Sequence, residues 1–431
     1  MAALGELEPE QKKASVEGKR LRSGHRHRPY AAALLGLAVA LTFAMWGCPG
    51  ARAAERAVNI GVLTDMTGLY KDLAGEGSVV AAKMAVEDMG GQALGIAVQV
   101  FGGDHKHDVP TALGIAGNWF KDNRVGLVID MPNSTIALAV QKFAAEHNRI
   151  SVTVSAGSTD LTGTACSPTG FHWAYDTYSN SVPLAHALVA FGANSWFFIT
   201  ADYSFGHILE RETTQAVQEA GGRVFGHARH PLNARSFNEQ LIAAEDSGAR
   251  VIALANAGGD TINTMKEAAE LGISPRSQTL APLLVFLSDV HALGFDVARG
   301  MTFIDGFYWD RDPETREWSK RFFARQGVMP TMAHAGVYSA VRHYLRAVAA
   351  AGTDDARAVA AKMRELRVDD FFARGGEVRA DGRMIHDMYL VQVKQPYESR
   401  YPWDYYKILS VIPRDRAFRP LAESECPLVK K

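Results

Sequence analysis

The segment GVLTDMTGLYKDLAGEGS, Gly61 to Ser78, lies between the apolar run VNIGVL and the helix-like run VVAAKMAVEDM. A strand, a glycine-containing loop and a helix in that order can hold a nucleotide or clamp a small carboxylate, because a helix start leaves backbone N–H groups free for an anion. The G-x-G of GEGSVV stands well beyond the strand instead of in its turn, and Val80 occupies the place of a third glycine. No G-x-x-x-x-G-K-[ST] occurs in the chain. Both facts argue against a diphosphate loop, so the clamp is the better fit.

Other chemistry has weaker support. DHKHD, Asp104 to Asp108, offers two histidines and two carboxylates, but alternate residues leaving a strand often face solvent, and no H-E-x-x-H follows. Ser155 and Ser158 lie outside any G-x-S-x-G elbow. The N-S-T at Asn133 reads as a helix cap before it reads as a glycosylation acceptor. We therefore expect no catalytic residue, no metal and no cofactor.

The elements that must position these loops alternate in period. VNIGVL, IAVQVF, VGLVID and ISVTVS have strand length, and helix-period stretches separate them, the first with Val79, Ala82, Val86 and Met89 on one face. The pattern restarts after HWAYDTYSN with SWFFIT, RVFGHA, VIALAN and QTLAPLLVF. This is βαβ repetition, which implies parallel sheets covered on both faces. From GFYWD onward three helical stretches follow without a strand between them, and GEVRADGRMIHDMYLVQV reads as a hairpin turning at Asp381-Gly382. Helices without strands of their own must pack on an existing sheet. The expectation is an α/β fold of two Rossmann-like lobes joined by a multi-strand hinge: 54–176 and 308–380 in lobe one, 177–307 and the hairpin and tail 381–431 in lobe two.

With 431 residues and a formal net charge of -1, the chain can bury more than one core and exerts no bulk pull on nucleic acid. A basic lead ending KRLRSGHRHRPY, the apolar run Ala31 to Gly47 and small residues at Ala51 and Ala53 read as an export signal over 1–53, cleaved after Ala53. A lipid at Cys48 or a retained membrane anchor is the alternative. Cleavage leaves Cys166 and Cys426, which an oxidising compartment would bridge, tying down the tail.

In parallel sheets ligands gather at the carboxyl ends of strands, and here those loops are rich in small donors: TDMTGLYKD, DMPNSTI, SAGSTDLTG, TADYSFG and ANAGGDT. The segments IGVLTDMTGLYKDLAGEGSVVAAKMAVEDMGG, SAGSTDLTG, ADYSFGHILE and VIALANAGGDTINTMKEAAELGI together resemble the solute-binding proteins of ABC importers, in the type I, branched-chain (Leu/Ile/Val) amino acid receptor family, over about Val58 to Tyr406. The resemblance implies two lobes closing on a small ligand without catalysis. Carried over by position, it places Gly68, Leu69 and Tyr70 in the pocket, with Asn133 and Ser134. It adds Ser155, Ala156, Gly157 and Ser158, then Tyr203, and the loop Asn256, Ala257, Gly258 and Gly259. Tyr308 and Trp309 stand near the return crossover and are expected to face the cleft. The ligand's amine has no obvious carboxylate, because Asp260 falls inside the following helix, so an aromatic or other organic acid stays as open as an amino acid. The implied protein is a periplasmic, monomeric receptor of an ABC importer, holding a small hydrophobic amino acid or an aromatic or organic carboxylate and partnered by a permease. A ligand-sensing subunit of a membrane signalling protein is the alternative.

Overall fold

The structure, a computed structural model, describes residues 57–273 and 278–430. The export signal expected over 1–53, its cleavage after Ala53 and the Cys48 alternative lie outside them. Among the described residues no helix is long and apolar enough to cross a membrane.

The first sheet takes β1 (Val58–Thr64), β2 (Gln92–Ala93), β3 (Ile96–Asp104), β4 (Val125–Asp130), β5 (Ile150–Thr153) and β6 (Gly170–His172) in the order β2-β3-β1-β4-β5-β6. All its pairings are parallel except β2 with β3. β1 runs between β3 and β4 and is buried along six of its seven residues, as a strand covered on both faces must be. The second sheet takes β7 (Ser195–Ala201), β8 (Arg223–His230), β9 (Val251–Ala255) and β10 (Thr279–Pro282) in the order β10-β9-β7-β8, all parallel. These are the two α/β lobes that the alternating periods predict.

The long helix Met332–Ala351 has no strand of its own and lies against the helix Gly75–Asp88 of the first lobe. Hydrogen bonds from Tyr338 to Asp88, from Thr331 to the Leu73 carbonyl and from His334 to the Ala74 carbonyl hold that packing together, and Arg321 of the preceding helix Pro313–Gln326 also reaches Asp88. A methyl group on Gly77 would overlap the His334 ring at Nε2, so the approach depends on a residue without a side chain there.

Several elements escaped the periodicity. β11 (Thr302–Asp305) has four residues and β6 three, too few for a period to show. The helix Leu287–Ala298 is broken at Gly294, which has φ 68°. The C-terminal hairpin is shorter than its sequence suggests. β12 (Glu377–Val378) and β13 (Met384–Ile385) pair for two residues each. Then β14 (Met388–Val393) leaves to pair antiparallel with β11 and with β15 (Tyr406–Ile412). The break falls where the buried guanidinium of Arg383 donates to the carbonyls of Trp173 and Tyr175 and meets Asp176 at 3.3 Å, while His386 reaches the Ala174 carbonyl. Segments 173–176 and 383–386 are thereby stitched together where the chain passes between lobes. Cys166 and Cys426 form a disulfide across 260 residues, with Cα atoms 5.6 Å apart.

Candidate ligand-binding site

The carboxyl ends of the strands of both lobes face one small, tightly closed cavity. The loops after β1, β4 and β5 bring Tyr70, Ser134, Ser155, Ala156 and Gly157 to it, and the loops after β7 and β9 bring Tyr203 and Ala257. Leu73, Pro132, Tyr175, Phe205, Leu284 and Phe286 complete the wall. Among the described residues the lining contains no lysine, arginine, aspartate or glutamate.

On the first lobe, Asn133 has extended backbone and its Oδ1 accepts the N–H groups of Thr135 and Ile136 at 3.0 and 3.2 Å, which starts the helix Ser134–Glu146. Ser134 is thus placed at the first helical position, where an N–H has no partner within the helix. Its Oγ accepts the Ser158 N–H at 3.3 Å, which leaves its own proton to give. Beside it, the carbonyl of Ala156 accepts from His172 at 2.7 Å and that of Gly157 from the Thr177 N–H at 2.7 Å. Among the described residues the N–H groups of Ala156 and Gly157 have no acceptor of their own. The result is one wall with N–H and O–H donors unspent and their neighbouring carbonyls turned away.

Ser155 is different: its hydroxyl donates to Asp130, a fully buried carboxyl whose pKa burial raises. The loop residues Gly68 and Tyr70 also differ from expectation. Their N–H groups donate to the buried Asp65 at 2.7 and 2.8 Å and are therefore not available to a ligand. Burial pushes the Asp65 pKa up, but hydrogen bonds from His107, Tyr70 and Gly68 outweigh it and bring the group to about 2. What the loop presents instead is the Tyr70 side chain, whose hydroxyl meets that of Tyr203 at 2.7 Å across the cleft. Burial, the first cause in each case, raises the pKa of both phenols, so both stay neutral.

Close approach explains the glycines. A Cβ on Gly157 would meet the Phe205 ring at 2.9 Å, and one on Gly258 would meet the Leu69 carbonyl and the Tyr70 ring at 3.0 Å. Gly258 and Gly259 therefore brace the two lobes without lining the cavity.

Other expected residues lie elsewhere. Asn256 is turned into its own lobe, bonded to His230, Thr261 and Thr264. Ser158 caps the short turn Thr159–Leu161. Tyr308 and Trp309 do not reach the cavity. Tyr308 stacks on Tyr406 with ring centroids 4.8 Å apart and bonds Asp404, and Trp309 Nε1 donates to the Trp403 carbonyl at 2.9 Å. Both aromatics find polar partners in the C-terminal segment, which the local sequence around them does not reveal.

One acid was missed and another was set aside. Asp65 directly follows β1 and binds amides three and five residues on, a local turn pattern that Asp followed by Gly signals. Asp260, in the first turn of the helix Gly259–Glu270, is 1% exposed. Burial raises its pKa to about 6 against the N–H bonds from Asn233 and Ala234. One of its oxygens has no partner among the described residues, and its charge is felt by Tyr70 and Tyr203.

A family model described as periplasmic binding protein matches residues 57–398. The chain is 43% identical to a periplasmic binding protein of Burkholderia mallei of known structure, covering 87% of this chain and 99% of that one with a TM-score of 0.85. It is 36% identical to a branched chain amino acid ABC transporter periplasmic ligand-binding protein of Burkholderia xenovorans, over 86% and 99% of the two chains with a TM-score of 0.78. Among curated proteins it is 28% identical to a Leu/Ile/Val-binding protein homolog 6 of Brucella melitensis, over 42% of this chain and 47% of that one. The chain thus spans about half the length of the curated relatives it matches. With most of its length matched by the family model and a fold that superposes on close relatives, the chain belongs to the periplasmic binding protein family and carries its type I fold.

Proposed function

We propose that this protein is the extracytoplasmic receptor of an ABC importer, that it closes its lobes on a small monocarboxylate with an apolar or aromatic body, and that it delivers this ligand to a permease without chemical change. The observation that carries the ligand class is the unspent donor set of Ser134, Ala156 and Gly157 on one wall of a cavity whose remaining walls are aromatic and aliphatic. Neutral donors at a helix start suit a single carboxylate better than a multiply charged phosphate, which calls for cationic side chains. We read 54–176 with 308–380 as one lobe and 177–307 with 381–431 as the other. Export with cleavage after Ala53 agrees with the N-terminal sequence and with a disulfide formed in an oxidising compartment.

A ligand that also carries an α-amine is a second reading, favoured by buried Asp260, one of whose oxygens has no partner among the described residues and whose charge adds to burial in raising the pKa of both tyrosines. Both readings are tested by calorimetry with L-leucine, 4-methylpentanoate, benzoate and benzamide. A carboxylate clamp requires an acid to bind while its amide loses roughly 1.5–3 kcal/mol for each charge-assisted bond. Leucine binding without 4-methylpentanoate assigns the amine to Asp260. Benzoate and benzamide binding equally, or a preference for sugars or phosphates, would overturn the clamp.

A further inference from the structure

Between the Tyr70 loop and the helix that starts at Ser134 sits His107, from the DHKHD segment that no binding role has absorbed. Its Nε2 donates to Asp65 at 2.5 Å, and Asp65 holds the Gly68 and Tyr70 amides. Its Nδ1 accepts from the Asn133 side-chain amide at 3.3 Å, and the other end of that amide caps the helix by accepting from Thr135 and Ile136. The ring stands edge-on to Tyr70 with centroids 5.0 Å apart, and a Cβ on Gly68 would fall 2.9 Å from its Cδ2. The backbone delivers the ring at a conformational cost. Lys106 and His107 both have positive φ, 51° and 56°, and the His107 N–H is spent on the buried His105 ring at 3.1 Å.

We propose that His107 is a positioning residue of the cleft: by donating to Asp65 and accepting from Asn133 it locks the tyrosine-bearing loop and the donor-bearing helix start into one rigid unit. This rests on the cleft being the ligand site, but the lock itself is a property of the free protein. Only an imidazole protonated at Nε2 and bare at Nδ1 can serve both neighbours, because Asp65 is an acceptor and the Asn133 amide nitrogen a donor. The opposite tautomer would present a lone pair to a carboxylate and a proton to an NH₂ group. Anchoring residues that touch a ligand through such a lock lower the entropy lost on binding.

The test uses the intact mature protein with His107→Ala and His107→Gln, the glutamine amide being able to donate and accept in the same two directions. Amide hydrogen exchange in the ligand-free protein should accelerate about tenfold or more in His107→Ala at Gly68 and Tyr70 and, together with them, at Thr135 and Ile136, with recovery in His107→Gln. Faster exchange on one side alone, or glutamine behaving as alanine, would show that His107 only fills space. Should His107→Ala not fold, the wild-type ring decides: ¹⁵N-detected histidine spectra must show Nε2 protonated and Nδ1 bare, and the reverse tautomer refutes the lock. Calorimetry with L-leucine and benzoate as probes should show, for whichever the wild type binds, affinity about tenfold lower in His107→Ala and restored in His107→Gln. Unchanged affinity would overturn the proposal. If the wild type binds neither probe, the ligand reading fails, while the exchange pattern still decides the lock.

Discussion

Tyr70 and Tyr203 come from loops 133 residues apart in sequence and meet hydroxyl to hydroxyl at 2.7 Å, closing the cleft from opposite lobes. One hydroxyl donates to the other, so the pair retains one proton and several lone pairs in a partly buried setting. Replacing Tyr203 with phenylalanine strands the Tyr70 hydroxyl in the closed form, while in the open form water serves it. The expected cost to closure is about 1–3 kcal/mol. Calorimetry should show ligand binding weaker by roughly 5- to 150-fold with the melting temperature little changed. Unaltered affinity would mean that the pair does not belong to the liganded state.

Gly258 has φ 57° and ψ -131°, a region that a residue with a Cβ enters only with strain, and its missing side chain faces the Leu69 carbonyl and the Tyr70 ring of the other lobe. Alanine there should cost about 1–3 kcal/mol in backbone strain alone and push the two loops apart. Small-angle scattering should then find that saturating ligand no longer contracts Gly258→Ala as it does the wild type.

Acid should destabilise the fold well before carboxylates titrate in bulk. Burial holds His105, His334, His343 and His386 at about 4 and His172 at about 3, all below the ordinary 6.5. The unfolded chain takes up these five protons near pH 6.5 and the native protein does not, so stability is lost as pH falls from 6.5 toward 4. Burial also raises Asp260 to about 6, Asp289 to about 7 and Asp305 to about 8. Those three act in the opposite direction, holding native-state protons that the unfolded chain releases above about 4, so their contribution is lost as pH rises through 6 to 8. Near pH 5 the balance is about two protons in favour of the unfolded state, or on the order of 3 kcal/mol per pH unit. Denaturant titrations should therefore place maximal stability near neutrality, with a steep fall below pH 6 and a shallow one toward pH 8. A flat profile from pH 7 to 5 would contradict the burial of these rings.

The Cys166–Cys426 bridge fastens the end of a tail already held by the short helix Arg414–Ala417 against the helix Thr177–Ala190, by buried Phe418 under the Arg383 guanidinium, and by Arg419 on Glu212 at 2.7 Å. Cys426→Ser should lower stability by about 2–4 kcal/mol. Cys166→Ser should cost the same, and the double variant no more than either, since all three remove one bond. Additive losses would show that the two thiols are not joined in the folded protein.

Much of this protein is written in local periods. Strand-length apolar runs alternating with helix-period faces determine two parallel sheets, and parallel sheets determine that the loops after β1, β4 and β5 gather at one carboxyl edge and those after β7 and β9 at another, because side-chain periodicity is a property of a few neighbouring residues. The two cysteines well beyond the N-terminal apolar run, Cys166 and Cys426, likewise point to each other without any structure. What tertiary structure alone decided is which of the many small donors remain unspent. Gly68 and Tyr70 look like anion binders in sequence, yet Asp65 consumes their amides and His107 fixes Asp65, whereas Ala156 and Gly157 keep theirs because His172 and Thr177 draw their carbonyls away. Tyr175 and Phe286 enter the cavity from a crossover and from the end of β10, and Tyr308 and Trp309 are drawn off by Asp404 and Trp403, more than ninety residues distant. A hydrogen bond satisfied from far along the chain leaves no trace in local pattern, and in a cleft built from N–H groups and hydroxyls that satisfaction determines which residues can hold a ligand.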